Sequence, residues 1–197
     1  MSSTSAIIPA WEQKIRDNAA VSVPSHGMIS MNSLHTFGTA QFEPSMYKEH
    51  YPVPDNVKNQ LIGIHIVSVQ DSQTAAKICI DTIQGLKNTR PDKNVWDGIM
   101  TNARETAKQS FSNRFDNASH EAINIINDLP PVQQDGAANF FSHGMGIVSR
   151  VINEVSYRLA DVDTKDLLEG KWNKLAEVDV NIMAGCSAAI DALNSMF

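Results

Sequence analysis

The sequence predicts an all-α fold: an antiparallel, up-down bundle of four long helices, preceded by an irregular N-terminal arm that carries one short helix. Three observations lead there. Over residues 141–162, Phe141, Met145, Val148, Ile152, Val155, Leu159 and Val162 recur at spacings of four and three, which puts one apolar side chain on the same helix face at every turn. Three other long segments repeat the pattern. The connectors between them are short and contain Pro or Asp, so consecutive helices are expected to run antiparallel.

Residues 1–53 form the arm. Pro9 suits a first helical position, and Trp11 and Ile15 support a short helix over about 9–19. Beyond it come turn-forming groups around Pro24, Gly27 and Gly38, and the stretch closes on Pro52 and Pro54, which disfavour helix before them. Met28, Met31, Phe37, Phe42, Met46, Tyr47 and Tyr51, with Leu34, are too many large apolar groups for a solvated linker. They are expected to contact the bundle or a neighbouring subunit.

The bundle occupies residues 54–197. Its first helix is expected over about 55–87, on the spacing of Ile62, Ile66, Val69, Gln73, Ala76, Ile80 and Ile83. Residues 61–69 are β-branched enough to compete as a strand, but the helical period continues past them. The second helix, about 94–128, has the seam Met100, Ala103, Ala107, Phe111, Phe115, Ala118, Ala122, Ile125 and Leu129. Its spacing slips near Phe111, as a helix of about 3.6 residues per turn requires. The third, about 134–161, holds the opening seam; Gly144 and Gly146 within it predict a close helix approach or a kink. The fourth, about 164–195, starts at an Asp163 N-cap with Asp166 three residues on, and carries Leu168, Trp172, Leu175, Ile182, Cys186, Ala189, Leu193 and Met196. Asp179 interrupts that seam, and Val178 beside it takes its place.

The totals narrow the function. A chain of 197 residues that is 42% hydrophobic and 19% charged can bury a sizeable core and is not of disordered composition. A net charge of −6 and a pI near 5.4 argue against nucleic acid, whose phosphates need Lys and Arg. No polybasic cluster marks an anionic membrane surface, and no apolar run is long enough to span one. The N-terminus lacks the charged and apolar regions of a secretory signal, and Cys79 and Cys186 both sit in apolar helical patterns. The cytoplasm is therefore the expected compartment, with export lacking a signal peptide as the alternative.

No pattern carries enzymatic or cofactor chemistry. A di-iron bundle needs Glu-x-x-His on two helices, and no Glu here has a His three residues on. His65, His120 and His143 fall on different helices, and His26, His35 and His50 match no zinc spacing. The glycines at 144 and 146 lack the strand that a dinucleotide site requires before them. No catalytic residue, metal or cofactor is assigned. Trp96-Asp97-Gly98, at the junction of two helices, and Tyr157 with Asp161 are similar to the Trp-x-Gly turn and Tyr-x-x-x-Asp tail of the small helical-hairpin proteins exported by type VII secretion. This chain is twice their length, and here the tail motif precedes a whole further helix. The amphipathic style of the helices also resembles that of phasins, which coat storage granules.

Charge is uneven: residues 87–115 hold six basic and three acidic groups, and residues 161–197 three basic and seven acidic. Such ends favour head-to-tail association. The expected function is thus a non-enzymatic, self-assembling structural, coat or scaffold subunit that forms a homo-oligomer or filament. The alternatives are a membrane-active helical protein (pore-forming or coating a lipid surface), a metal- or cofactor-binding bundle, and a type VII-like secreted protein.

Overall fold

The computed structural model describes residues 7–21 and 53–196, and every regular element among them is helical. The elements are α1 (Ala10–Val21), α2 (Asp55–Gly85) with a 3-10 turn (Leu86–Asn88), α3 (Lys93–Asn127), α4 (Pro131–Asp161), α5 (Thr164–Leu168) and α6 (Asn173–Asn194). Among the described residues, no helix is long and apolar enough to cross a membrane. The arm contacts expected at Met28, Met31, Leu34, Phe37, Phe42, Met46, Tyr47 and Tyr51 lie outside the described residues.

In α1, Trp11, Ile15 and Ala19 recur every four residues, and all three are buried. The helix packs against α3 and α4, and Lys14 Nζ donates to Asn139 Oδ1 at 3.2 Å. This first part of the expected arm therefore lies on its own bundle.

Residues 61–69 are helical despite their β-branched content. Leu61, Ile62, Ile64 and Val69 are all buried, so tertiary packing outweighs a local preference of a few tenths of a kcal/mol per residue. The helix stops where Thr89 folds back, its amide and its hydroxyl both donating to the Leu86 carbonyl. Asp92 then caps α3, its carboxylate accepting from the amides of Asn94 and Val95. The α3 seam is buried from Met100 through Ala122. Beyond that the apolar face drifts, so that Ile123 and Ile126 are buried whereas Ile125 and Leu129 are half-exposed.

Two boundaries differ from expectation. The helix expected to begin near residue 134 begins at Pro131, because the fixed φ of proline and its missing N–H suit the first helical position. The helix expected over 164–195 is two helices. Asp163 caps the first through the Asp166 amide at 2.8 Å, but α5 lasts five residues and ends at Leu168, two residues before Gly170, whose φ of +83° no continuing helix adopts. Likewise, Trp96, Asp97 and Gly98 are not in a turn between helices. They lie inside the opening turns of α3, downstream of the Asp92 cap.

The long helices meet through specific pairs. α2 packs against α3, α4 and α6, and α4 packs against α1, α2, α3 and α6. Between α2 and α3, Arg114 donates to Ser68 and lies 3.6 Å from Asp71, and Cys79 shares a groove with Ala103 and Ala107. Between α2 and α6, Lys77 reaches Asp179 at 3.1 Å, and Lys87 lies over the Trp172 ring. Cys79 and Cys186 are both free and buried, and burial pushes their thiols up to about 11 and about 12.

Replacing Gly170 by alanine forces a Cβ into the left-handed region. Gly170→Ala is expected to lower the unfolding free energy by about 1 kcal/mol, read as an earlier urea midpoint at unchanged slope.

Candidate functional site

Three places combine polar groups with burial or with exposed apolar surface. The first is inside the bundle, where α2 crosses α4. His65 is 1% exposed, its ring stacks on Phe141 at 4.3 Å between centroids, and its Nε2–H donates to the Phe141 carbonyl at 2.9 Å. That bond places the ring proton on Nε2 and leaves Nδ1 buried without a hydrogen-bond partner. Gly144 makes the arrangement possible, because a Cβ there would overlap Cδ2 and Nε2 of the imidazole. Burial pushes the His65 pKa down to about 4, against a smaller upward pull from the Phe141 carbonyl. This neutral histidine is a packing group with one polar tie, and no charged side chain contributes to its shift.

The second place is the end of the bundle where α4 stops. Arg104 on α3 donates to the carbonyls of Leu159 and Val162, two of the acceptors that the last turn of a helix leaves without partners. Asp97 accepts from the Thr164 hydroxyl and pairs with Lys93 at 2.9 Å, so its carboxyl lies below the usual carboxylate range. Asp166 is held low in the same way, by Lys174 at 2.9 Å and by Lys171. Trp96 donates to Thr89 Oγ1 and meets Trp172 edge-on. Arg104, Asp97, Asp166 and Trp96 each have a structural partner, and together they fasten α5 and the start of α6 to α3.

The third place is the outward face of α2. Ile78 is 60% exposed and stands between two grooves. On its α6 side a groove of about 350 Å³ is lined by Gln73, Thr74, Lys77, Ile78, Asp179, Ile182 and Met183. On its α3 side a groove of about 220 Å³ runs past Ala75, Cys79 and Thr82 to Ile99, Ala103 and Ala107. Met183 and Val180 on α6 are 54% and 65% exposed, and Ile99 on α3 also reaches solvent. α1 covers a different face, the one made by α3 and α4.

The seam residues Phe141, Met145, Val148, Ile152, Val155, Leu159 and Val162 are all buried. Of the two glycines expected at a close approach, only Gly144 is at one. Gly146 is exposed with nothing within 4 Å of an added Cβ, because residues two apart on a helix point about 200° apart. His120 is exposed, with Asp116 and Arg16 beside a small cleft under α1, and His143 is half-buried on α4. Among the described residues, no three His, Cys, Asp or Glu side chains converge as a metal site. Sequence reasoning treated His65 as one of three scattered histidines and passed over Ile78. Ile78 lies two residues from both Ala76 and Ile80 of the α2 seam, which turns it to the other side of the helix, and its mostly apolar neighbourhood does not mark it. No family model, no curated protein and no solved structure matches the chain.

Two outcomes test the interior crossing. Gly144→Ala is expected to cost about 1–3 kcal/mol by overpacking against the imidazole, and His65→Ala in the same chain relieves part of that cost. The folded-state pKa of His65 lies below its unfolded value of 6.5, so between about 6.5 and 4 the unfolded chain binds the proton more readily. Stability is then full above 6.5 and is lost as pH falls to 4, by an amount on the order of 3 kcal/mol. Urea midpoints across that window should fall for the natural chain and flatten for His65→Gln.

Proposed function

We propose that this protein is a non-enzymatic, self-associating helical subunit of a structural, coat or scaffold kind, with its four long helices in an antiparallel up-down bundle. The topology is supported by the order of contacts. Going up α2 from Ser68 and Asp71 to Cys79, the partners on α3 descend from Arg114 to Ala107 and Ala103. From Lys77 to Lys87 the partners likewise descend, from Asp179 on α6 to Trp172 at its N-cap.

The observation that carries the functional reading is the apolar face around Ile78, which no other described residue covers. Leaving Ile78, Val180, Met183 and Ile99 in water forgoes about 25 cal/mol per Å² of apolar surface, and faces of this kind mark interaction sites on soluble proteins. The polar groups elsewhere support the reading from the other side. His65, Arg104, Asp97 and Asp166 are each engaged in packing or in fastening helices together. The cytoplasm suits such a subunit, since its two buried thiols need no oxidant and join nothing.

Light scattering on the purified full chain across a concentration series tests this. The expected mass corresponds to two or more copies at micromolar concentration. A strict monomer at the highest attainable concentration overturns the proposal.

A further inference from the structure

We propose that the face around Ile78 takes a second copy of this chain, with the two α2 helices antiparallel about a two-fold axis that passes beside Ile78. This inference rests on the self-associating reading above and specifies its contact surface. A symmetric pair needs a self-complementary patch, and the outward side of α2 has both the shape and the charge order for one.

The shape is a ridge between two grooves. Ile78 projects from α2, and its counterpart on the other copy fits a groove beside it, in the way that ridges of one helix enter the grooves of another. Along the same outward line stand Ala75, Thr82 and Gly85. At Gly85 nothing lies within 4 Å of an added Cβ, so two helix axes can come close there without displacing a side chain. Met183, which lines the α6-side groove with Ile78, extends the apolar patch onto α6, where a second α2 would cover it.

The charges decide direction. Lys77 and Asp81 are exposed and stand on the same flank of Ile78, the flank toward α6, where Lys77 lies 3.4 Å from Asp81 and 3.1 Å from Asp179. With two copies parallel about an axis along the helices, each flank would meet the other copy's opposite flank, and Lys77 and Asp81 would face the uncharged side that carries Asn102, Thr106 and Ser110. With the copies antiparallel about the two-fold axis, each Lys77 faces the other copy's Asp81, and both contacts are attractive. The present partners of Lys77 are exposed surface pairs of small net worth, so exchanging them across an interface costs little. The opposite flank, toward α3, presents the uncharged Asn102, Thr106 and Ser110, which oppose nothing.

The arrangement is testable by charge exchange on the full chain, using sedimentation equilibrium with circular dichroism to check helicity. Lys77→Glu places two Glu–Asp oppositions in each pair, and Asp81→Lys places two Lys–Lys oppositions. Each variant alone should weaken self-association by about tenfold or more. An equimolar mixture of the two should associate again as a mixed pair, and the double exchange Lys77→Glu with Asp81→Lys should self-associate like the natural chain. Ile78→Asp should abolish the pair in every background. A natural chain that associates but ignores all four changes overturns this face while leaving the wider reading in place. A natural chain that stays monomeric overturns both. If Ile78→Asp leaves the mass unchanged but makes residues 22–52 more open to protease, a segment of the same chain occupies the face, and the inference fails.

Discussion

A side chain at residue 144 would occupy the volume that the imidazole of His65 fills, so α2 and α4 lie at their observed separation only because residue 144 is glycine. α2 touches α3, α4 and α6, and α4 touches every other long helix, whereas α3 and α6 scarcely meet. The α2–α4 pair therefore stands at the centre of the packing between the long helices. The imidazole is the spacer. It is large enough to fill the gap, flat enough to stack on Phe141, and tied by one hydrogen bond to a carbonyl of the opposing helix. Its burial holds it neutral, and a neutral ring is the only form that the apolar surroundings admit without a large desolvation cost.

Much of this architecture was legible because it depends on period alone. The seam of α4 is a run of large apolar residues at fours and threes with no polar interruption, and every one of them is buried. The Asp163 cap was readable because it rests on two residues three apart. Burial overrode the β-branched character of residues 61–69, as the continuing period implied. At Asp179 the interruption was real: Val178 is buried, and Asp179 turns to meet Lys77.

What could not be read depends on where one helix face meets another. The two glycines at 144 and 146 are equivalent in sequence, and only the rotation of α4 against α2 makes the first a contact and the second a surface position. Leu168, Trp172 and Leu175 keep a helical spacing across Gly170, so their period concealed the break, and the glycine itself was the only local sign of it. Ile78 was invisible for a related reason. An apolar residue outside a seam means little until the neighbouring helices form grooves on both sides of it. The polar groups at the α4 terminus were equally opaque, since Arg104 finds its carbonyl partners on a helix more than fifty residues away.

The three tryptophans are divided between the two ends of the molecule. Trp11 is buried on α1, whose later residues Arg16 and Ala19 rest near Asp116 and Ile123 of α3. Trp96 and Trp172 touch each other at the start of α3, about 30 Å from residue 116 by the helical rise. The indole nitrogen of Trp11 is buried without a hydrogen-bond partner, whereas that of Trp96 donates to Thr89. The chain thus carries two intrinsic optical labels in unlike surroundings. One follows the docking of a short peripheral helix, and the other follows the joint between the α2–α3 turn and the base of α6. A change in emission can be assigned to one end of the molecule by removing a single indole, with no added fluorophore.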